Sequence, residues 1–464
     1  MKKKNVIIII FVVMLFAGFG CKAPSSRYQV DLDFWGTFDN SNVFDSIFGV
    51  YKNIDQNVAQ ITYHKNTIES YKEDLLSALA AGNGPDIFMI HNSWMPDFQD
   101  KIVPVPDYMM TEQEFRDNFV DVAAEDCITD GQIYGVPLSV DSLALYYNKD
   151  IFNAAGVTRP PKTWEEFNKD VQLLTKIDEF GNIEQSAAAL GTAFNVNRSS
   201  DILTVMMLQN KTEMSNKADK SILFGESVGS GLGMPSERAL KQYTDFASAT
   251  SSVYTWNKRQ NYSIDAFFQE NAAMMINYSW HYDTLKAKNA KLNFAVADLP
   301  QVSFDNIGDQ ANFANYWILV VAKNKQPTQS PQQGAVPVTN KMRVHESWQF
   351  LKALTFPMKK GIKIQNAISG ESLIYNNLEF DLTEQYLENT GKPAARRDLI
   401  EKQKTDVKLG SFARGNLIAQ SWWRNNADDI DAIFADMIDS VNTGKSSIHD
   451  AIQLGASRAK QFMK

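Results

Sequence analysis

The chain has 464 residues, 44% of them hydrophobic and 22% charged, with a formal net charge of −8. That length exceeds what one hydrophobic core usually serves, so two domains are expected; the acidic balance, with no Lys/Arg run after residue 4, argues against a nucleic-acid partner. Cys21 and Cys127 are the only cysteines, too few for a disulfide framework or a cysteine-rich zinc site.

Lys2, Lys3 and Lys4 precede an apolar run over residues 6–16, the charged and hydrophobic parts of a secretory signal. Extended to Gly20 the run is about 15 residues, roughly 22 Å of helix, which falls short of a roughly 30 Å bilayer core. A spanning helix is therefore not expected. Cys21 follows directly, and Lys22-Ala23-Pro24-Ser25-Ser26 has linker composition. The order resembles a bacterial lipoprotein signal, cut before a cysteine that becomes the lipidated N-terminus. The resemblance implies a signal over residues 1–21 with lipidation at Cys21, a linker over 22–27, and a chain tethered to the outer face of the cytoplasmic membrane. Cys127 is then expected to be a buried thiol without chemistry.

Val30, Leu32 and Phe34 alternate with Asp31 and Asp33, which predicts a strand. Val43, Phe44, Ile47, Phe48 and Tyr51 recur at helical spacing, residues 58–63 return to β character, and Ile68, Tyr71, Leu75 and Leu79 mark a second helix. Gly82-Asn83-Gly84-Pro85 ends it, and Asp86, expected to organise the turn, leads into a strand over 87–90. Such β-α-β-α-β alternation predicts an α/β fold with a parallel, doubly wound sheet, whose ligands bind beyond the carboxyl ends of the strands. The loops at 35–38 and 91–94 are thereby cleft candidates. Further on, Asp130-Gly131 is a turn, residues 133–140 are rich in β-formers broken by Pro137, and Leu143, Leu145 and Tyr147 alternate with Ala144 and Tyr146. Thr163 before Trp164-Glu165-Glu166 predicts a capped helix start. Residues 176–197 and 217–235 have loop composition, and two apolar helix faces, one ended by Asn442-Thr443-Gly444, close the chain.

Signs of catalysis are weak. Gly225-Glu226-Ser227-Val228-Gly229 spells a nucleophile elbow, yet Ser230-Gly231-Leu232-Gly233-Met234-Pro235 cannot form the helix an elbow needs. The five histidines include no H-E-x-x-H, and no phosphate-binding loop occurs. A paired-carboxylate glycosidase leaves no short motif and stays open as an alternative, as does a membrane-tethered adhesin.

Asp130 to Trp164 contain, in order, a turn, Gly135-Val136-Pro137, the acidic Asp141, an apolar strand ending Tyr147-Asn148-Lys149, and a Pro-Pro-Lys-Thr-Trp helix start. This resembles the first crossover between lobes in the bacterial extracellular solute-binding proteins of family 1, the sugar-binding partners of ABC importers that include maltose-binding protein. The segments 75–90, 267–280, 315–321 with the helix after His345, and Lys392-Pro393-Ala394-Ala395-Arg396-Arg397-Asp398 are similar to later parts of that family, in the same order.

The resemblance implies a periplasmic-binding-protein-like type II fold: two α/β lobes joined by a multi-strand hinge with a ligand cleft between, lobe 1 holding residues 28–138 plus 300–356 and lobe 2 holding 139–299 plus 357–464. It implies a monomer that captures a carbohydrate, an oligosaccharide above all, and delivers it to the transmembrane subunits of an ABC permease, without cofactor, metal or catalysis; a glycerol-phosphate ester is the alternative ligand. Sugars are held by aromatic rings against their C–H faces and by planar polar groups that pair with hydroxyls. On that chemistry Trp35, Trp94, Trp280, Trp317, Trp422 and Trp423 are stacking candidates, each weighed against core packing. Asn92, Ser93 and Asp141 are polar candidates, and Arg396 or Arg397 a bidentate one, with structural bonding the alternative for Asp141 and the arginines.

Overall fold

The computed structural model describes residues 28–227, 233–303, 307–325, 336–357, 361–375 and 381–463. Cys21, the linker 22–27, and Val228 and Gly229 of the elbow-like motif lie outside them.

Val30, Leu32 and Phe34 bury one face of the strand Val30–Gly36, which pairs in parallel with Val58–Lys65 on one side and Ile87–His91 on the other. The helices Asn42–Ile54 and Ile68–Ala80 make the crossovers. The next strand, Trp317–Val321, runs antiparallel to Ile87–His91, and Val136–Pro137 completes the sheet at its edge, where a proline costs no ladder bond. The sheet is thus mixed, not wholly parallel as the local alternation implied, because Trp317–Val321 enters from the other lobe and runs the opposite way. Asp86 organises the entry to Ile87–His91: it accepts from the Asp33 amide and from Lys325 Nζ, both at 2.7 Å.

The second lobe is built on the strand order Phe294–Ala297, Ala144–Asn148, Ala272–Asn277, Ile183–Ala188, Lys176–Ile177. Ala272–Asn277 is buried along its whole length, so it carries an uninterrupted apolar run until Asn277. Thr163 caps the helix Trp164–Leu174 by accepting from the Glu166 amide at 3.2 Å. Of the elbow-like stretch, Phe224 before it is buried against Phe434, and Ser227 stands exposed.

Between the lobes a three-stranded sheet forms the hinge, with Asn312–Asn315 flanked by Ala419–Gln420 and Asp141–Ser142. Asn312 substitutes for a strand partner, its side chain accepting from the Leu143 amide (3.1 Å) and donating to the Leu143 carbonyl (2.8 Å). Gly415 packs against this crossing so closely that a Cβ would lie 2.6 Å from Ser142 Oγ.

Each lobe has its own hydrophobic core, and two segments fall differently from the sequence-based boundaries. Ala311 and Phe313 pack in the second core, although 300–356 was expected wholly in lobe 1. Leu382, Tyr386, Leu387, Leu399 and Ile400 pack in the first core, although 357–464 was expected in lobe 2. The cause is the apolar face of the helix Leu382–Thr390, which covers the helix Asn42–Ile54: the Tyr386 ring stacks on Phe44 at 5.7 Å, and its hydroxyl donates to Asp39 at 2.8 Å.

Candidate functional site

A cavity of about 490 Å³ lies between the lobes. The first lobe contributes Asn92 and Ser93, from the turn after Ile87–His91, and Glu125 and Asp126, from the helix Asp121–Cys127. The second lobe contributes Thr212 and Lys217, with Trp422, Trp423 and Arg424 following the hinge strand Ala419–Gln420.

Asp126 ties these parts together. Its carboxylate accepts from Tyr316 Oη (2.7 Å), Asn92 Nδ2 (3.1 Å) and Ser421 Oγ, so one buried group holds the first lobe, the hinge approach and the cavity wall in register. Burial pushes its pKa up against those three hydrogen bonds, which favour the ionised form. Burial raises Glu125 as well, with the Asp126 charge adding to the effect. Across the cavity Lys217 Nζ donates to Thr129 Oγ1 at 3.0 Å and reaches the Ile128 carbonyl at 3.5 Å, a direct bond from the second lobe to the first.

Four polar atoms of residues lining the cavity are buried without a hydrogen-bond partner among the described residues: Asn92 Oδ1, Thr212 Oγ1, Trp422 Nε1 and Arg424 Nε. Each unmet donor or acceptor costs about 1–3 kcal/mol in a folded protein, so their gathering at one cavity marks a surface shaped for a polar ligand. The residues that carry them bring an amide, a hydroxyl, an indole and a guanidinium to the cavity wall.

Of the residues singled out from the sequence, Asn92, Ser93, Trp422 and Trp423 line this cavity. Trp94 and Trp317 meet edge to face at 5.2 Å, with Phe38 5.3 Å from Trp317 and Lys72 over the Trp94 ring; this aromatic group lies at the carboxyl end of Ile87–His91, packed on the first core. Trp35 is half-buried against the same core and does not line the cavity. Trp280 is 40% exposed, its ring stacked on Tyr278 at 4.7 Å. The imidazole of His91, beside the aromatic group, is pushed down to about 4 by burial, with Arg424 and Arg198 of the second lobe adding to the effect. Arg198 also lies 5.5 Å from the Trp280 ring, and neither residue lines the cavity.

Two expectations are corrected. The Asp141 carboxylate is taken up within the hinge by the Ser279 amide (3.0 Å), Ser279 Oγ (2.5 Å) and the Ser142 amide (2.9 Å), and burial pushes its pKa up to about 7. It is a cross-hinge bond in place of an open ligand contact. Arg396 is 1% exposed and donates to Asp381, Asp398 and Thr383 inside the first lobe, while Arg397 pairs with Asp121 at 2.6 Å on the surface. Asp126, Thr212, Lys217 and Arg424 were not foreseen; only Arg424 had a local signal, its place directly after Trp422-Trp423.

Two α/β lobes, a three-strand hinge and a polar cavity between them define a two-lobed solute-binding protein of type II. The chain belongs to the bacterial extracellular solute-binding protein family, whose model matches residues 59–359, more than half of it. Among relatives, a binding protein of Brucella abortus is 26% identical over 235 residues, 49% of this chain and 52% of that one. The maltotriose-binding protein of Pyrococcus abyssi is 22% identical over 265 residues, 57% of this chain and 51% of that one. The chain thus spans about half the length of the curated relatives it matches. Among solved structures, the sugar-binding protein MalE from Xanthomonas citri superposes with a TM-score of 0.71 over 94% of this chain and 97% of that chain, at 18% identity. Among the described residues no helix is long and apolar enough to cross a membrane.

Proposed function

We propose that the chain is the substrate-binding component of an ABC importer, capturing a carbohydrate, above all an oligosaccharide, between its lobes and presenting the closed form to a membrane permease. The observation that carries this reading is the interlobe cavity lined by polar side chains, Asn92, Ser93, Thr212 and Arg424 among them, together with Trp422 and Trp423, the pairing of hydrogen-bonding groups with indole that a sugar needs. The names of the two curated relatives describe binding proteins, one of them for maltotriose, and agree with it. Binding favours the closed state only by its differential affinity for it, and the Lys217 to Thr129 bond is one contact that depends on closure. On this reading the protein works outside the cytoplasm as a monomer tethered through Cys21, and it releases its ligand chemically intact.

A thermal-shift screen of a carbohydrate library tests the proposal, because a ligand at about 100 times its Kd adds roughly 2.7 kcal/mol of apparent stability. One or more oligosaccharides should raise the melting temperature and be recovered unchanged after long incubation. Hydrolysis products would favour a glycoside-acting enzyme instead, and a library with no hit would remove the carbohydrate reading.

Trp280→Ala is expected to weaken binding of the saccharide found in that screen about tenfold, the order of one stacked aromatic contact, while the melting temperature moves little because the ring is already well exposed. Calorimetric titration beside a melting curve separates the two effects. An early melt with normal affinity would make Trp280 a packing residue for Tyr278.

A further inference from the structure

Arg424 is 5% exposed and lines the cavity, and its Nε has no hydrogen-bond partner among the described residues. Its nearest carboxylate, Asp431, is 3.8 Å away, and its guanidinium lies over Trp422 (4.8 Å) and Phe313 (5.7 Å). Arg198 repeats the pattern at another tryptophan of the second lobe: 4.0 Å from Asp201, 5.5 Å from the Trp280 ring, and held with a left-handed backbone at φ 61°. The buried arginines elsewhere behave differently. Arg396 donates five bonds to two aspartates and a threonine, and Arg343 donates to Asn340, Asp86 and the Ala322 carbonyl. A guanidinium with an unmet donor in a low-dielectric wall calls for an acceptor, and its planar fork fits a carboxylate or sulfate through two parallel bonds.

We propose that the cavity selects a saccharide bearing an anionic group, a ring carboxylate or a sulfate ester, received by Arg424, with Arg198 of the same lobe adding positive charge from outside the lining and Trp423 on the wall beside it. This rests on the reading of the cavity as a carbohydrate site. The acidic groups around the cavity do not cancel the positive field. Burial pushes the Asp431 carboxyl up, with Arg424 opposing and Asp201 and Asp428 adding, which weakens its claim on the guanidinium. On the facing wall the Asp126 oxygens are already engaged by Tyr316, Asn92 and Ser421, and the Glu125 carboxyl is also raised by burial.

The test is calorimetric titration of the purified protein with digalacturonic acid and a sulfated galactobiose, each against neutral galactobiose, at low and high salt. At least one acidic disaccharide should bind about tenfold or more tightly than the neutral one. The preference should shrink as salt is raised, and it should be lost in Arg424→Gln and reduced in Arg198→Gln. The half-exposed Arg198 keeps the test sound if Arg424→Gln fails to fold, which a melting curve reports. Whichever acidic arm binds distinguishes carboxylate from sulfate. Equal or tighter binding of the neutral disaccharide, or a preference unchanged in the variants, overturns the inference and leaves the carbohydrate reading standing. Failure of both acidic disaccharides to bind also overturns the inference, and a barren library screen beside it overturns the carbohydrate reading as well.

Discussion

Arg396→Ala is expected to destabilise the protein by about 3–5 kcal/mol and to leave saccharide affinity per folded molecule unchanged. The guanidinium is buried and bridges Asp381 (2.6 and 3.0 Å) to Asp398 (2.7 and 3.1 Å). Removing it strands Asp381, which is largely buried and also caps the helix Leu382–Thr390 by accepting from the Glu384 amide. Asp398 is more exposed, and water screens its share of the loss. Arg396→Lys should recover only part of the stability, since an ammonium cannot make two forked contacts at once. Denaturant unfolding followed by Trp fluorescence, with titration of the folded variant, checks both halves. A variant that melts like the parent but no longer binds would return Arg396 to the ligand site.

Asp141→Asn is expected to change how stability depends on pH. The folded carboxyl titrates at about 7 because it is buried, against 3.8 for an ordinary aspartate. Between those values the folded chain holds the proton that the unfolded chain has released. By linkage, stability then falls as pH rises from about 4 to 7, by about 1.4 kcal/mol for each unit of the difference. Asparagine cannot ionise, and its carbonyl can still accept from the Ser279 amide. Asp141→Asn should therefore match or exceed the parent's melting temperature at pH 8 and lose that advantage at pH 5. Parallel pH profiles for the two proteins would show that Asp141 titrates normally in the fold.

How much of this was legible in sequence depends on the range of the physics involved. The strand Val30–Gly36 and the helix Asn42–Ile54 announce themselves because burial on one face imposes a period of two or 3.6 on neighbouring residues. The Thr163 cap and the Asp86 turn are equally local. By contrast, Leu382, Tyr386 and Leu387 show an apolar helix face without saying which lobe it will cover. Arg396 finds Asp381 fifteen residues upstream through packing alone. Asp126 lies on a short helix whose pattern suggests only burial, and its partners Asn92, Tyr316 and Ser421 come from three distant parts of the chain. Lys217 lies in a segment that composition marks as a loop, yet the fold carries it across to Thr129.

The antiparallel insertion of Trp317–Val321 between Ile87–His91 and Val136–Pro137 also fixes the order in which the chain can be assembled. About 230 residues separate His91 from Val321, so a growing chain waits roughly 10–50 s between making the two strands. During that time the inner edge of Ile87–His91 presents unpaired amides and carbonyls. The first lobe, though it begins the chain, cannot complete its sheet until much of the second has been synthesised. Contacts of such sequence separation also slow refolding of the finished molecule.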